Sequence, residues 1–146
     1  MLITGHVSSG ALIGLVAPSP AAALVAGIAS HAALDALPHW GTDGGMEGDV
    51  LRVAVADGLT GLALIGAIAR ATGRRRLPTV LAGVVGACLP DLDKPGQLFF
   101  GRSPYPSRVD AWHGRIQREH PHLLRRDAAL CAVGGAVAVA VLRTLR

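Results

Sequence analysis

Charge is confined to a few places along this chain, and the stretches between them are long and apolar. Residues 2–17 and 21–37 carry no Lys or Arg and one carboxylate, Asp35. Residues 50–72 are interrupted by Arg52, Asp57 and Arg70 alone, and residues 77–90 and 128–142 carry no charge. Ionisable groups are expensive inside a bilayer, so this distribution predicts helices that cross or enter a membrane. Composition points the same way: 51% of residues are hydrophobic and 16% charged, against about 25% charged in a soluble domain. The mean hydropathy is +0.43. Aromatic residues make up only 3%, and the abundant Ala, Gly and Val suit helices that pack backbone to backbone. A soluble helical bundle is the competing expectation. Against it, no apolar stripe is backed by a charged one.

The predicted fold is all-α: one helical membrane domain over 1–146, with five short transmembrane or re-entrant helices and an interfacial helix. Pro18-Ser19-Pro20 makes a tight turn between the first two segments, with Pro20 starting the second. Segments of about fifteen residues are short for a span that wants about 20, so local thinning is expected, and 77–90 is the segment expected to be re-entrant. No Lys or Arg precedes the first apolar stretch, so it reads as mature sequence rather than a signal peptide. Cys88 and Cys131 sit in apolar stretches and read as small core residues, not a disulfide. The net charge of +4 comes with no basic helix, zinc finger or aromatic-studded basic strand, so nucleic acid is not expected as a partner.

With five crossings the loops alternate. One side holds Arg70, Arg74, Arg75, Arg76, Arg143 and Arg146 and no acid, which predicts a cytoplasmic face. The other side holds the loops 38–49 and 91–127. It receives every aromatic residue (Trp40, Phe99, Phe100, Tyr105, Trp112) and all six histidines. Trp and Tyr favour the headgroup layer, so chemistry is expected at the extracytoplasmic surface of the cell membrane.

Within that set, Ser30-His31-Ala-Ala-Leu-Asp35 puts an imidazole and a carboxylate one helical turn apart, able to grip one cation. Asp91-Leu-Asp93 follows Pro90 and offers two carboxylates from one irregular turn. His6, on the first segment, and Asp57, on the third, are expected at the depth of His31. Asp57 is the expected general base or ligand-orienting residue. His113 and His120 are seven apart and, on a helix, share a face with Ile116. Each has a structural alternative: a His–Asp bond can merely lock helices, Asp-x-Asp can be a solvated helix end, and His113 and His120 can be incidental.

These motifs resemble the bacterial membrane-bound metal-dependent hydrolases of the YdjM type. Gly5-His6, Leu89-Pro90-Asp91-Leu-Asp93, Pro95 and Ser30-His31-x-x-x-Asp35 match that family's motifs. The Ser-His-x-x-x-Asp helix precedes the Asp-x-Asp run here, whereas in the family it follows. Lys94 stands where the family has a histidine, and His113 and His120 replace a His-Arg-x-x-Thr-His-Ser motif. The resemblance implies His6, His31, Asp35, Asp91 and Asp93 as metal-site candidates.

The expectation is therefore a membrane-embedded hydrolase with one or two divalent ions, zinc foremost. Its ligands would come from His6, His31, Asp35, Asp91, Asp93, His113 and His120, and its substrate would be a lipid or lipid-linked phosphate ester. A non-catalytic metal-binding or transport protein and a membrane scaffold are the alternatives.

Overall fold

A computed structural model describes residues 1–42 and 47–145; residues 43–46 of the loop over 38–49 lie outside this description. The fold is helical, as expected. In order the elements are α1 (Ile3–Val16), α2 (Pro20–Asp35), β1 (Pro38–His39), α3 (Gly48–Ala71) and α4 (Leu77–Cys88). A 3-10 turn (Leu89–Leu92) leads into α5 (Asp93–Phe100), followed by α6 (Ser107–Ile116) and β2 (Arg118–Glu119). A second 3-10 turn (Pro121–Leu123) leads into α7 (Leu124–Thr144).

The Pro-Ser-Pro turn behaves as its chemistry dictates. The Ser19 side chain accepts a hydrogen bond from Ala22 N at 3.2 Å, and Pro20 opens α2. Helix α4 packs against both α1 and α2 at very close range. A Cβ placed on Gly10 or on Gly27 would meet the Gly83 carbonyl oxygen at 2.5 Å. Small residues therefore draw both helices onto α4. The N-terminal end of α1 and the C-terminal ends of α2 and α4 come together, and this junction carries the site. Away from it the core is apolar: Val7, Ala11, Ile68, Val80, Ala138 and Leu142 are among its buried members.

Two stretches, Gly48–Ala71 and Pro121–Thr144, are long and apolar enough to cross a membrane, at 24 residues each. The first two helices are shorter, at 14 and 16 residues, and α4 has 12. Of the five expected spans, two have the length to cross. The turns at Pro18–Pro20 and Pro90 cut the others short.

The loop over 91–127 holds two helices where one was expected. The first ends on Gly101, whose φ of +66° is the left-handed conformation that glycine adopts at no cost. The second stops at Ile116, because Gln117 turns extended and residues 118–119 pair in parallel with 38–39. His113 and His120 therefore do not share a helical face with Ile116. Two contacts fasten this region down. Tyr105 Oη donates to Leu89 O at 2.5 Å, and His120 N donates to His39 O at 2.7 Å.

Candidate metal centre

His6, in the first turn of α1, and His31, in the last turns of α2, face each other across the junction. Their rings stack with centroids 4.0 Å apart and planes 18° from parallel. Asp35 sits one turn beyond His31, as the spacing predicts, and is completely buried. The 3-10 turn after α4 brings in Asp91, and α6 brings in His113, both buried. Each of His31, Asp35, Asp91 and His113 offers one ligand atom, all within 4.8 Å of one another.

Three of these atoms form a tight face. His31 Nε2 lies 3.0 Å from Asp35 Oδ2 and 3.0 Å from His113 Nε2, and His113 Nε2 lies 3.4 Å from Asp35 Oδ2. Ligands held at about 2.0–2.2 Å from one ion stand about 2.9–3.5 Å apart, so these edges fit a shared divalent cation.

The imidazoles are also prepared for that role. The His31 Nδ1–H donates to Ala87 O at 2.7 Å. That carbonyl can only accept, so Nδ1 carries a proton, and Nε2 is the nitrogen turned to the centre. Similarly, His113 Nδ1–H donates to Asp93 Oδ2 at 3.2 Å. Carboxylate–histidine pairing of this kind orients a ligating ring and raises its basicity. Among the described residues neither ring nitrogen of His6 makes a well-aligned hydrogen bond, although the residue is completely buried and its Nε2 lies 3.3 Å from Asp35 Oδ1. A buried polar group without a partner is costly, and a cation beside Nε2 would remove that cost.

Charge is densely packed here. Hydrogen bonds donated to Asp35 and Asp93 outweigh burial and hold the His113 imidazolium up to about 9. Burial pushes the Asp91 carboxyl up, but Lys94 and the neighbouring imidazoles bring it below the ordinary range. Lys94 Nζ donates to Asp91 Oδ1 at 2.7 Å, and against burial that pairing raises the ammonium.

No family model, curated protein or solved structure matches this chain.

The structure thus gathers His6, His31, Asp35, Asp91 and His113, with Asp93 behind His113 rather than among the innermost donor atoms. It does not bring in Asp57 or His120. Asp57 accepts from Ile3 N at 2.5 Å, Thr4 N at 3.2 Å and Thr4 Oγ1 at 2.6 Å. It ties α3 to the start of α1 and satisfies that helix's free amides. His120 is exposed, with its ring 5.6 Å from that of His122.

Two other neighbours were not foreseen. The Gln117 side-chain amide donates to Asp35 Oδ2 at 3.3 Å and lies 3.2 Å from His113 Nε2. It follows His113 by four positions, the same spacing as His31 and Asp35, and that was the available signal. The Met1 nitrogen lies 2.9 Å from Asp35 Oδ1, for which the sequence carries no signal.

Proposed function

We propose that this chain is a multi-pass membrane protein with a metal-dependent hydrolase centre, similar in kind to the YdjM-type enzymes. The observation that carries the proposal is the 3.0, 3.0 and 3.4 Å triangle of His31 Nε2, His113 Nε2 and Asp35 Oδ2. Two imidazoles and one carboxylate leave further coordination positions open, the pattern of a catalytic rather than a structural zinc site. A divalent ion held there supplies a more acidic water and polarises a phosphoryl or acyl oxygen.

The chain's own groups serve the same reaction. Asp93 fixes the His113 ring, and Lys94 places a positive charge beside Asp91 where a phosphate would approach. The Gln117 amide offers a hydrogen-bond donor at the same point. Asp57, engaged with Ile3 and Thr4, is not assigned a part in proton transfer.

The membrane setting is supported by what α3 and α7 expose. Leu59, Leu62, Leu130 and Val133 are each at least 60% exposed. Only 11% of the most apolar window of Gly48–Ala71 is buried, and 28% of that in Pro121–Thr144. Core helices of a soluble protein would be covered, and an apolar surface of this kind calls for lipid or a partner. Phe99, Phe100 and Trp112 are exposed on α5 and α6 beside the centre, as residues of the headgroup layer would be. That setting favours a lipid or lipid-linked phosphate ester as substrate. The clustered Arg70, Arg74, Arg75 and Arg76 favour a cytoplasmic location for the α3–α4 turn, hence an extracytoplasmic centre.

The test is metal content and lipid phosphatase and esterase activity of the detergent-purified chain, with His31→Ala and Asp91→Ala beside the wild type. Activity lost in both variants, with helicity kept and metal lost from His31→Ala, supports the proposal. Bound metal with no hydrolysis of phosphate or acyl esters favours a non-catalytic metal-binding role. Wild-type protein that binds no divalent ion overturns it.

A further inference from the structure

The single-ion triangle leaves His6 unexplained. Its ring is completely buried and makes no well-aligned hydrogen bond among the described residues, its Nε2 meeting only the Asp35 and Asp91 carboxylates at 3.3 and 3.8 Å, and it is stacked at 4.0 Å on a ring whose Nε2 faces the centre. The Asp35 carboxylate is split between the two histidines. Its Oδ2 faces His31 Nε2 at 3.0 Å, while its Oδ1 lies 3.3 Å from His6 Nε2 and accepts from the Met1 nitrogen at 2.9 Å, the cationic group that an ion there would displace. Asp91 is split in the same sense. Its Oδ1 is 3.8 Å from His113 Nε2, and its Oδ2 is 3.8 Å from His6 Nε2.

From this pattern we infer that the centre holds two divalent cations, the second at His6 Nε2, Asp35 Oδ1 and Asp91 Oδ2. Asp35 would contribute one oxygen to each position, and Asp91 its Oδ2 to the second. Ions in two-metal sites sit about 3.5–4 Å apart, and the centroids of the stacked His6 and His31 rings stand 4.0 Å apart. Lys94 engages only Oδ1 of Asp91, which leaves Oδ2 for the second position. The donor set of one imidazole and two carboxylate oxygens suits zinc or manganese. This inference rests on the metal-centre proposal above and adds an ion count to it.

The test loads the full detergent-purified chain with Zn(II) or Mn(II), removes excess ion, and measures bound metal per chain. Electron paramagnetic resonance of the Mn(II) form supplies a second reading that needs no variant. Two ions per chain and an exchange-coupled Mn(II) spectrum are expected. His6→Gln, similar in length and still polar, should bind one ion with an isolated six-line spectrum and wild-type helicity. Asp91→Asn should likewise lose the coupling.

One ion per chain with an isolated spectrum in the wild type overturns the second position and leaves the first intact. Two ions retained in His6→Gln also overturn it, because the second ion would then sit elsewhere. No bound ion at all defeats the metal centre itself, which is a different result.

Discussion

At neutral pH a metal ion must displace a proton to bind here. The imidazole of His113 faces His31 and Asp35 from α2, Asp91 from the turn after α4 and Asp93 from α5. Hydrogen bonds to Asp35 and Asp93 keep its pKa near about 9 in the metal-free chain. Its Nε2 is one corner of the donor triangle, so it ligates only after losing that proton. Measuring at pH 7, two pH units below, therefore costs about 2.7 kcal/mol, an apparent affinity roughly a hundredfold weaker than well above pH 9. Affinity should rise about tenfold per pH unit over this range. Calorimetric titration with Zn(II) at pH 7, in buffers of different ionisation enthalpy, counts the protons released. About one is expected from His113. Asp93→Asn removes one of the two hydrogen bonds that hold the proton, so release at pH 7 should fall. Its affinity at high pH should also fall, by about 10–100-fold, from loss of the outer partner. An affinity that is flat between pH 7 and 9, with no proton released, refutes the reasoning.

Three further outcomes follow from the packing. Asp57→Ala removes the acceptor for the first amides of α1 and should lower unfolding stability by about 1–2 kcal/mol, with bound metal per chain unchanged. Gly27→Ala puts a methyl 2.5 Å from the Gly83 carbonyl. It should cost about 1–3 kcal/mol through overpacking and weaken Zn(II) binding by spreading α2 from α4, both readable from metal-dependent thermal melts. His120→Ala should leave metal content and melting temperature within error of the wild type, in contrast to His31→Ala.

The centre was legible in the sequence where the chemistry is local. His31 and Asp35 share a helical turn whatever their surroundings, and a carboxylate just after Pro90 had to leave the end of α4. The gathering of His6, His31 and Asp91 was implied by the resemblance, while charge exclusion placed these groups only at one end of the apolar helices. What could not be read was rotation and tertiary contact. Asp57 lies on the third segment near the depth of His6, but α3 turns it toward the amides of Ile3 and Thr4. His120 fell away because the pairing of 118–119 with 38–39 stops α6 early, and a two-residue parallel bridge leaves no periodic trace. The short lengths of α1, α2 and α4 were read to within two residues at each end, whereas α7 begins four residues before the expected segment. Hydropathy marks where a segment is apolar, whereas proline turns decide where its helix stops.

The claim on which the rest depends is that His31, His113 and Asp35 close on a single divalent ion. X-ray absorption at the zinc edge of the Zn(II)-loaded chain tests it directly. Imidazole multiple scattering with a nitrogen and oxygen shell at about 2.0–2.1 Å is expected, weakened in intensity by His31→Ala. A sulfur shell at about 2.3 Å from Cys88 or Cys131, or an oxygen shell without imidazole, would contradict it.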